Sequence, residues 1–404
     1  MLIFLLISLF STILCKKGGI FMITYFSMEG FLSIKDPIEL FFMPRPGARI
    51  KNTRFAPNFI ETKKYRLAKS LLLFGLNASG KSNILLGLTH LIEMIRNGLN
   101  LSAMDDSRRN LINFDSQSVS FTIGLYDPVQ NSEYFYSLRY NCESIQEEEL
   151  KLNDRDIYSF SENKLSINDS VKAPDRKSLI RLMSRPSTEL LLFKLNDYLN
   201  SDIAPFRRIT GEILYNLKDV VPALTRDAAR LVQQRQKPFW DENHTAIFSI
   251  LHMTDPTITD FRLEPFRSGL YQLILLRGNK KFSVGIESQG IQKICHLIDQ
   301  LVSIMIHGGV FLLDELDSSI STQCLLSLFN NLIHTDFNKG QFLMTSHNPL
   351  LMNQNLFHPQ QLYIVNKKED LTTEVYPLDD FDLRADKTNL YEDYLKGRFG
   401  GSHV

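Results

Sequence analysis

The sequence predicts an α/β fold, a mixed sheet flanked by helices, on three observations. Leu71–Phe74 is a short, wholly apolar run that breaks into a loop with Gly75 and Gly80, after which Ile84–Ile95 shows helical periodicity. Val310–Leu313, Gln341–Thr345 and Leu362–Val365 are further apolar runs of strand length, as expected for strands buried on both faces of a parallel sheet. Ser118–Tyr126 and Tyr134–Tyr140 alternate instead, and they read as antiparallel neighbours around Asp127-Pro128, which makes the sheet content mixed.

The first of these elements carries the most information. Gly75-Leu76-Asn77-Ala78-Ser79-Gly80-Lys81-Ser82 has the spacing G-x-x-x-x-G-K-S, with a strand before it and a helix after it. Glycines at its ends let backbone N–H groups turn inward as an anion nest, and the helix N-terminus adds its positive dipole end. Lys81 would then reach the β- and γ-phosphates of a nucleotide, and the Ser82 hydroxyl would hold Mg²⁺. The plain alternative is a ligand-free strand-to-helix turn, which the combined constraint on residue types and flanks disfavours.

Taken in order, Ile23–Met28 and Ile38–Phe42 read as strands around the turn Gly30–Asp36, and Pro44, Pro46 and Gly47 then break regular structure. Residues 141–244 change character and read as a mainly helical insertion, with helices over Ser187–Leu199 and Ile209–Gln236 broken near Pro222. Arg207, Arg208, Lys218, Arg226, Arg230, Arg235 and Lys237 give its second half a modest basic bias. A solvated helix face explains this most simply, and a nucleic-acid or partner surface is the other option. Heptads announcing a long coiled coil are absent. Beyond it, Ile258–Leu263 is strand-like, Leu270–Arg277 and Lys281–Val284 form a hairpin across Gly278-Asn279, and Ile291–Ile306 is a strongly apolar helix.

Bulk properties exclude little. The chain has 404 residues, 45 Lys plus Arg and 45 Asp plus Glu, so its formal charge is zero and gives no general attraction for nucleic acid. Cys15, Cys142, Cys295 and Cys324 lack zinc-site spacing and suit a reduced, cytoplasmic protein. Residues 1–21 stand apart. Met1–Cys15 is almost entirely apolar but short of the about 20 residues a spanning helix needs, and its lysines follow the apolar stretch instead of preceding it. The expectation is a mis-called start with Met22 opening the functional protein, or a short tether, with no stable membrane partner.

Three later segments complete the reading. Val310–Leu313 runs into Asp314-Glu315, the Walker B pattern. Asp314 at the strand edge would hold a Mg²⁺-bound water, and Glu315 would polarise the water attacking the γ-phosphate. Thr345-Ser346-His347-Asn348-Pro349 ends the next apolar strand and puts His347 within reach of the same phosphate. Ser288 and Gly290 open the apolar helix. Alone they would be an N-cap, but they fall between the two nucleotide motifs in sequence order.

Gly75–Asn83, Glu287–Lys293, Phe311–Ser319 and Thr345–Pro349, in this order, resemble the motifs of ABC-class ATPases of the RecF/SMC-like type. More narrowly they resemble AAA-family ATPases of prokaryotic abortive-infection systems. Tyr394–Gly400 is similar to the tail of the AbiLi- and RloA-like members. The resemblance implies a P-loop NTPase of ABC-type head fold over residues 22–140 and 245–404, with 141–244 inserted. It implies ATP binding by Gly75, Asn77, Ala78, Ser79, Gly80, Lys81, Ser82 and Asn83, Mg²⁺ at Ser82 and Asp314, and catalysis by Lys81, Glu315 and His347. Asp317 would form the D-loop, and Ser288 and Gly290 of a second copy would close on the γ-phosphate, so the active form would be a homodimer with ATP sandwiched between heads.

Three departures from the family pattern stand out: Gln289 and Ile291 in the signature, Gly30-Phe31-Leu32-Ser33 where relatives often carry a basic residue, and a glutamine-loop residue that the sequence does not place, with Gln117 as the candidate. The implied function is a dimerising ATP switch in anti-phage defence acting on a separate effector, a toxin or nuclease. Only 57 residues follow His347, too few for an appended Toprim nuclease. A RecF/SMC-like DNA-maintenance ATPase is the alternative, and a transporter subunit ranks third.

Overall fold

Alternate residues of the apolar runs face two different cores, and this organises the molecule. The computed structural model describes residues 21–48, 50–103, 110–173, 175–216, 230–381 and 389–400. Its central sheet has six strands in the order Leu214–Asn216, Gly309–Leu313, Gly340–Ser346, Ser70–Phe74, Leu362–Lys367 and Thr373–Pro377. The first five are parallel, and Thr373–Pro377 closes one edge antiparallel. Leu71, Leu73, Val310, Leu312 and Leu343 pack into one core together with the helix Lys81–Asn97 and the antiparallel strands. Leu72, Phe74, Phe311, Leu313, Phe342 and Met344 pack into the other, under the helices Gln289–His307 and Thr322–Leu328. Burial on both faces is why these strands read as continuous hydrophobic runs and not as alternating ones.

A seven-stranded antiparallel sheet covers the first core, in the order Lys164–Ile167, Arg155–Ser161, Ile145–Leu152, Ser132–Tyr140, Val119–Asp127, Met22–Glu29, Ile38–Phe41. The expected hairpin around Asp127-Pro128 is present, with Phe121 opposite Leu138. A smaller sheet holds the second hairpin, Leu270–Arg277 with Lys280–Ser283, and the strands Asp260–Arg267 and Leu231–Gln233. The apolar helix expected over Ile291–Ile306 runs Gln289–His307.

The secondary structure of residues 141–244 differs from the helical expectation. Three strands, Ile145–Leu152, Arg155–Ser161 and Lys164–Ile167, extend the antiparallel sheet. Within Ser187–Leu199 only Leu191–Lys194 is helical, followed by the helix Asn200–Thr210. Leu214–Asn216 is a strand of the central sheet. The physical reason lies at Glu148, in a charged run that looks solvent-facing. Its carboxylate is fully buried and accepts from the Tyr136 and Tyr158 hydroxyls (3.1 and 2.8 Å) and from the Leu191 and Leu192 amides (both 2.7 Å). Four donors offset the cost of burying the charge, and two of them are orphan N–H groups at the start of a short helix. Burial still pushes this carboxyl above its usual range.

Two members of the basic bias are used internally. Arg207 lies 3.9 Å over the Phe193 ring and donates to the carbonyls of Ile95 and Arg96, while Arg230 pairs with Asp299 at 2.8 Å. Lys218, Arg226 and Pro222 lie outside the described residues, as do residues 1–20. Among the described residues, no helix is long and apolar enough to cross a membrane, and Cys142, Cys295 and Cys324 are free thiols.

A buried side-chain amide links the two sheets. Gln341 Oε1 accepts from the Ile23 amide at 2.7 Å, and its Nε2 donates to the carbonyls of Ile23 and Ala68, both at 3.1 Å. Gln341→Ala would leave three buried backbone groups without partners, at about 1–3 kcal/mol for each group that water does not reach. The expected result is a denaturation midpoint lowered by about 2–4 kcal/mol of stability in chemical unfolding. A change below about 0.5 kcal/mol would mean that Gln341 is not the tie.

Candidate active site

The loop Gly75–Gly80 leaves the C-terminal end of its strand and closes by turning left-handed at Ala78 (φ 61°) and Gly80 (φ 107°). At Gly80 an added Cβ would lie 2.1 Å from Thr373 Oγ1, so a side chain is excluded by space as well as by backbone. Thr373 Oγ1 donates to the Ser79 carbonyl (2.8 Å) and lies 2.7 Å from Ser33 Oγ, which accepts from Asn83 Nδ2 at 2.7 Å. Ser33 and Thr373 thus clamp the loop from two hairpins distant in sequence. The Ser79 hydroxyl is buried with no partner among the described residues.

Lys81 opens the helix and is 4% exposed, its Nζ donating to the Gly75 and Leu76 carbonyls at 2.8 Å each. Burial pushes its ammonium down to about 8, and the charges of Asp314, Asp317 and Glu315 pull the other way. Ser82 Oγ donates to Asp314 Oδ1 at 3.2 Å, so the end of the strand Gly309–Leu313 meets the start of the helix.

Thr345, near the end of the neighbouring strand, organises the carboxylates. Its hydroxyl donates to Asp314 Oδ1 at 2.5 Å and accepts from the Glu315 amide at 2.7 Å. Glu315 sits in the left-handed region (φ 46°). His347 Nε2 lies 3.6 Å from Glu315 Oε1, and the His347 amide donates to Asp317 Oδ2 at 3.0 Å. Asp317 Oδ1 is buried with no partner among the described residues. Lys81, Ser82, Asp314, Glu315, Asp317 and His347 are therefore brought together at the C-terminal ends of three adjacent parallel strands, the usual ligand edge of an open α/β sheet.

Ser288 and Gly290 are not part of this cluster within one chain. Ser288 is exposed and caps its own helix through the Ile291 amide, whereas Gly290 is buried against the loop after Asp317. Lys293, one turn on, donates to the Glu315 and Ser318 carbonyls, the latter at 3.2 Å. Gln117 precedes the strand Val119–Asp127 and makes none of the contacts described above. Thr345, Thr373, Ser33 and Lys293 are positioning residues that the sequence reading did not single out. For Thr345 the signal lay in its place two residues before His347.

The donor set suits magnesium and a polyphosphate. Ser82 Oγ and Asp314 are hard oxygen donors on one side of a buried ammonium, and Mg²⁺ characteristically takes one or two protein oxygens and fills its octahedron with phosphate oxygens and water. Among the described residues, no group of three or more His, Cys, Asp or Glu side chains is arranged to hold a metal without such a substrate.

This sheet order and loop placement define an ABC-type P-loop NTPase head. The comparison that shows the fold is an Smc head bound to the C-winged helix domain of ScpA. It is 15% identical, covers 88% of this chain and 97% of its own, and has a TM-score of 0.51. An Smc head with coiled coil and joint from Pyrococcus yayanosii is 12% identical and covers 94% of this chain and 100% of its own, with a TM-score of 0.48. The chain belongs to the family described as "AAA domain, putative AbiEii toxin, Type IV TA system", which matches residues 71–353, more than half of its length. No curated protein matches the sequence.

Gly290 offers a test of the contact between the Ser288 helix and the carboxylate loop. An added Cβ would lie 2.2 Å from the Ser319 carbonyl oxygen, a backbone atom that has to move. Gly290→Ala is expected to cost about 1–3 kcal/mol in chemical denaturation. Gln289→Ala, which removes only the 3.3 Å bond from the Ser319 hydroxyl, is expected to cost less than about 0.5 kcal/mol. Equal midpoints for the two variants would argue against the close approach.

Proposed function

We propose that the chain binds ATP with Mg²⁺ and hydrolyses it as a homodimer whose closure is the signal, acting in anti-phage defence through a separate effector. The observation that carries this reading is the joining of Ser82, Asp314, Thr345 and Glu315 by hydrogen bonds around the buried Lys81 ammonium. Lys81 would exchange its two loop carbonyls for phosphate oxygens, and a desolvated ammonium gains most from such a partner. Ser82 and Asp314 would hold the metal, which would supply charge neutralisation to the triphosphate. Glu315, beside His347, would accept the proton of the attacking water, and His347 would donate toward the γ-phosphate. The exposed Ser288 would be available to a second copy, completing each site in trans. The toxin–antitoxin wording of the family description supports a role in defence, and use of ATP and Mg²⁺ suits a cytoplasmic location.

Glu315→Gln is expected to slow ATP turnover about 100-fold or more and to accumulate an ATP-dependent dimer in size-exclusion chromatography with light scattering. Lys81→Ala is expected to abolish nucleotide binding in calorimetry. Turnover equal to the parent in the first variant, or retained affinity in the second, would overturn the assignment.

A further inference from the structure

A cavity of about 880 Å³ opens at the opposite end of the central sheet, and its lining includes Lys51, Lys63, Lys69 and Lys339 together with Glu61 and Asp336. Lys69 immediately precedes the strand Ser70–Phe74, and Lys339 immediately precedes Gly340–Ser346. These two strands end at the loop that carries Lys81 and at His347. The cavity is therefore separated from the candidate active site by the full length of the sheet and shares none of its side chains.

Among the described residues, the charges of this cavity are not balanced. Glu61 is paired with Arg66, so Asp336 is the remaining carboxylate of a lining that holds four lysines. Among the described residues, none of the four lysines has a carboxylate within 4.0 Å. Lys69 is the telling member. It is 2% exposed, and its ammonium donates to the Thr335 carbonyl at 2.6 Å. An ammonium has three N–H donors, and no other acceptor among the described residues takes the remaining two. Burial holds its pKa down to about 8, with Asp336 offsetting only part of the shift. A buried cation of this kind is costly unless an anion completes its shell.

We propose that this cavity is a second ligand site, built for a small oligophosphate anion. Lysines are compact point charges suited to phosphate oxygens, and several ammonium groups around one cavity match an anion of more than one negative charge. The depth of Lys69 selects the class of ligand. A duplex backbone tracks exposed cations, whereas a side chain at 2% exposure is reached by the end of a small molecule. The apolar wall beside the lysines, with Met22 and Phe59, narrows the approach.

The test is calorimetric titration of inorganic tripolyphosphate, without Mg²⁺, into the full chain carrying Lys81→Ala, so that the Gly75–Ser82 loop does not contribute. Saturable one-site binding is expected. Replacing Lys51, Lys63 and Lys339 together by Gln is expected to weaken it roughly tenfold or more while leaving the denaturation midpoint unchanged. Lys69→Met is expected to weaken it as strongly. Absence of binding in the Lys81→Ala chain, or equal affinity in the triple variant, would overturn the proposal. So would short duplex DNA binding through these lysines while tripolyphosphate does not. None of these results depends on whether the chain hydrolyses ATP.

Discussion

One hydroxyl holds the carboxylate edge of the candidate site together. Thr345 gives its single proton to Asp314 and takes the amide proton of Glu315, so one strand fixes both carboxylate-bearing residues at the tip of the next. Without it, Asp314 would keep only the 3.2 Å bond from Ser82 described here, and the left-handed backbone at Glu315 would lose an anchor. Lys293 reinforces the same loop from below by donating to the Glu315 carbonyl. The geometry suits chemistry that depends on preorganised charge, because each of these groups is already oriented before a substrate arrives.

The same loop connects the edge to the exposed start of the helix Gln289–His307. Gly290 packs directly on the Ser319 carbonyl, so the helix beginning at Ser288 is in backbone contact with the segment Asp314–Ser319. On the other face of the central sheet, Ser33 and Thr373 restrain the phosphate loop. Its conformation thus depends on hairpins that flank the central strands in space but lie far away in sequence.

Legibility in the sequence followed burial. The central strands were readable because they are buried on both faces and their middles are runs of apolar side chains, and the loop motif was readable because its spacing is fixed by backbone geometry. Residues 141–244 were not, because Glu148 behaves as a core residue only when Tyr136, Tyr158 and two helix-start amides converge on it, and no local pattern announces that convergence. Leu214–Asn216 is three residues long and becomes a strand by pairing with Gly309–Leu313, a partner about a hundred residues away in the chain. The arginines counted as a basic bias illustrate the same limit: Arg207 and Arg230 are spent on carbonyls, a ring and Asp299.

The most direct measurement is ATP turnover by Thr345→Val beside Thr345→Ser. The valine variant keeps the volume and removes both hydrogen bonds, and it is expected to lose about 10- to 100-fold in turnover, as for other removed positioning groups. It should retain nucleotide affinity, because Lys81 and the loop are untouched. The serine variant, which keeps the hydroxyl, is expected to turn over at close to the parent rate. A valine variant as active as the parent would contradict the account at its centre.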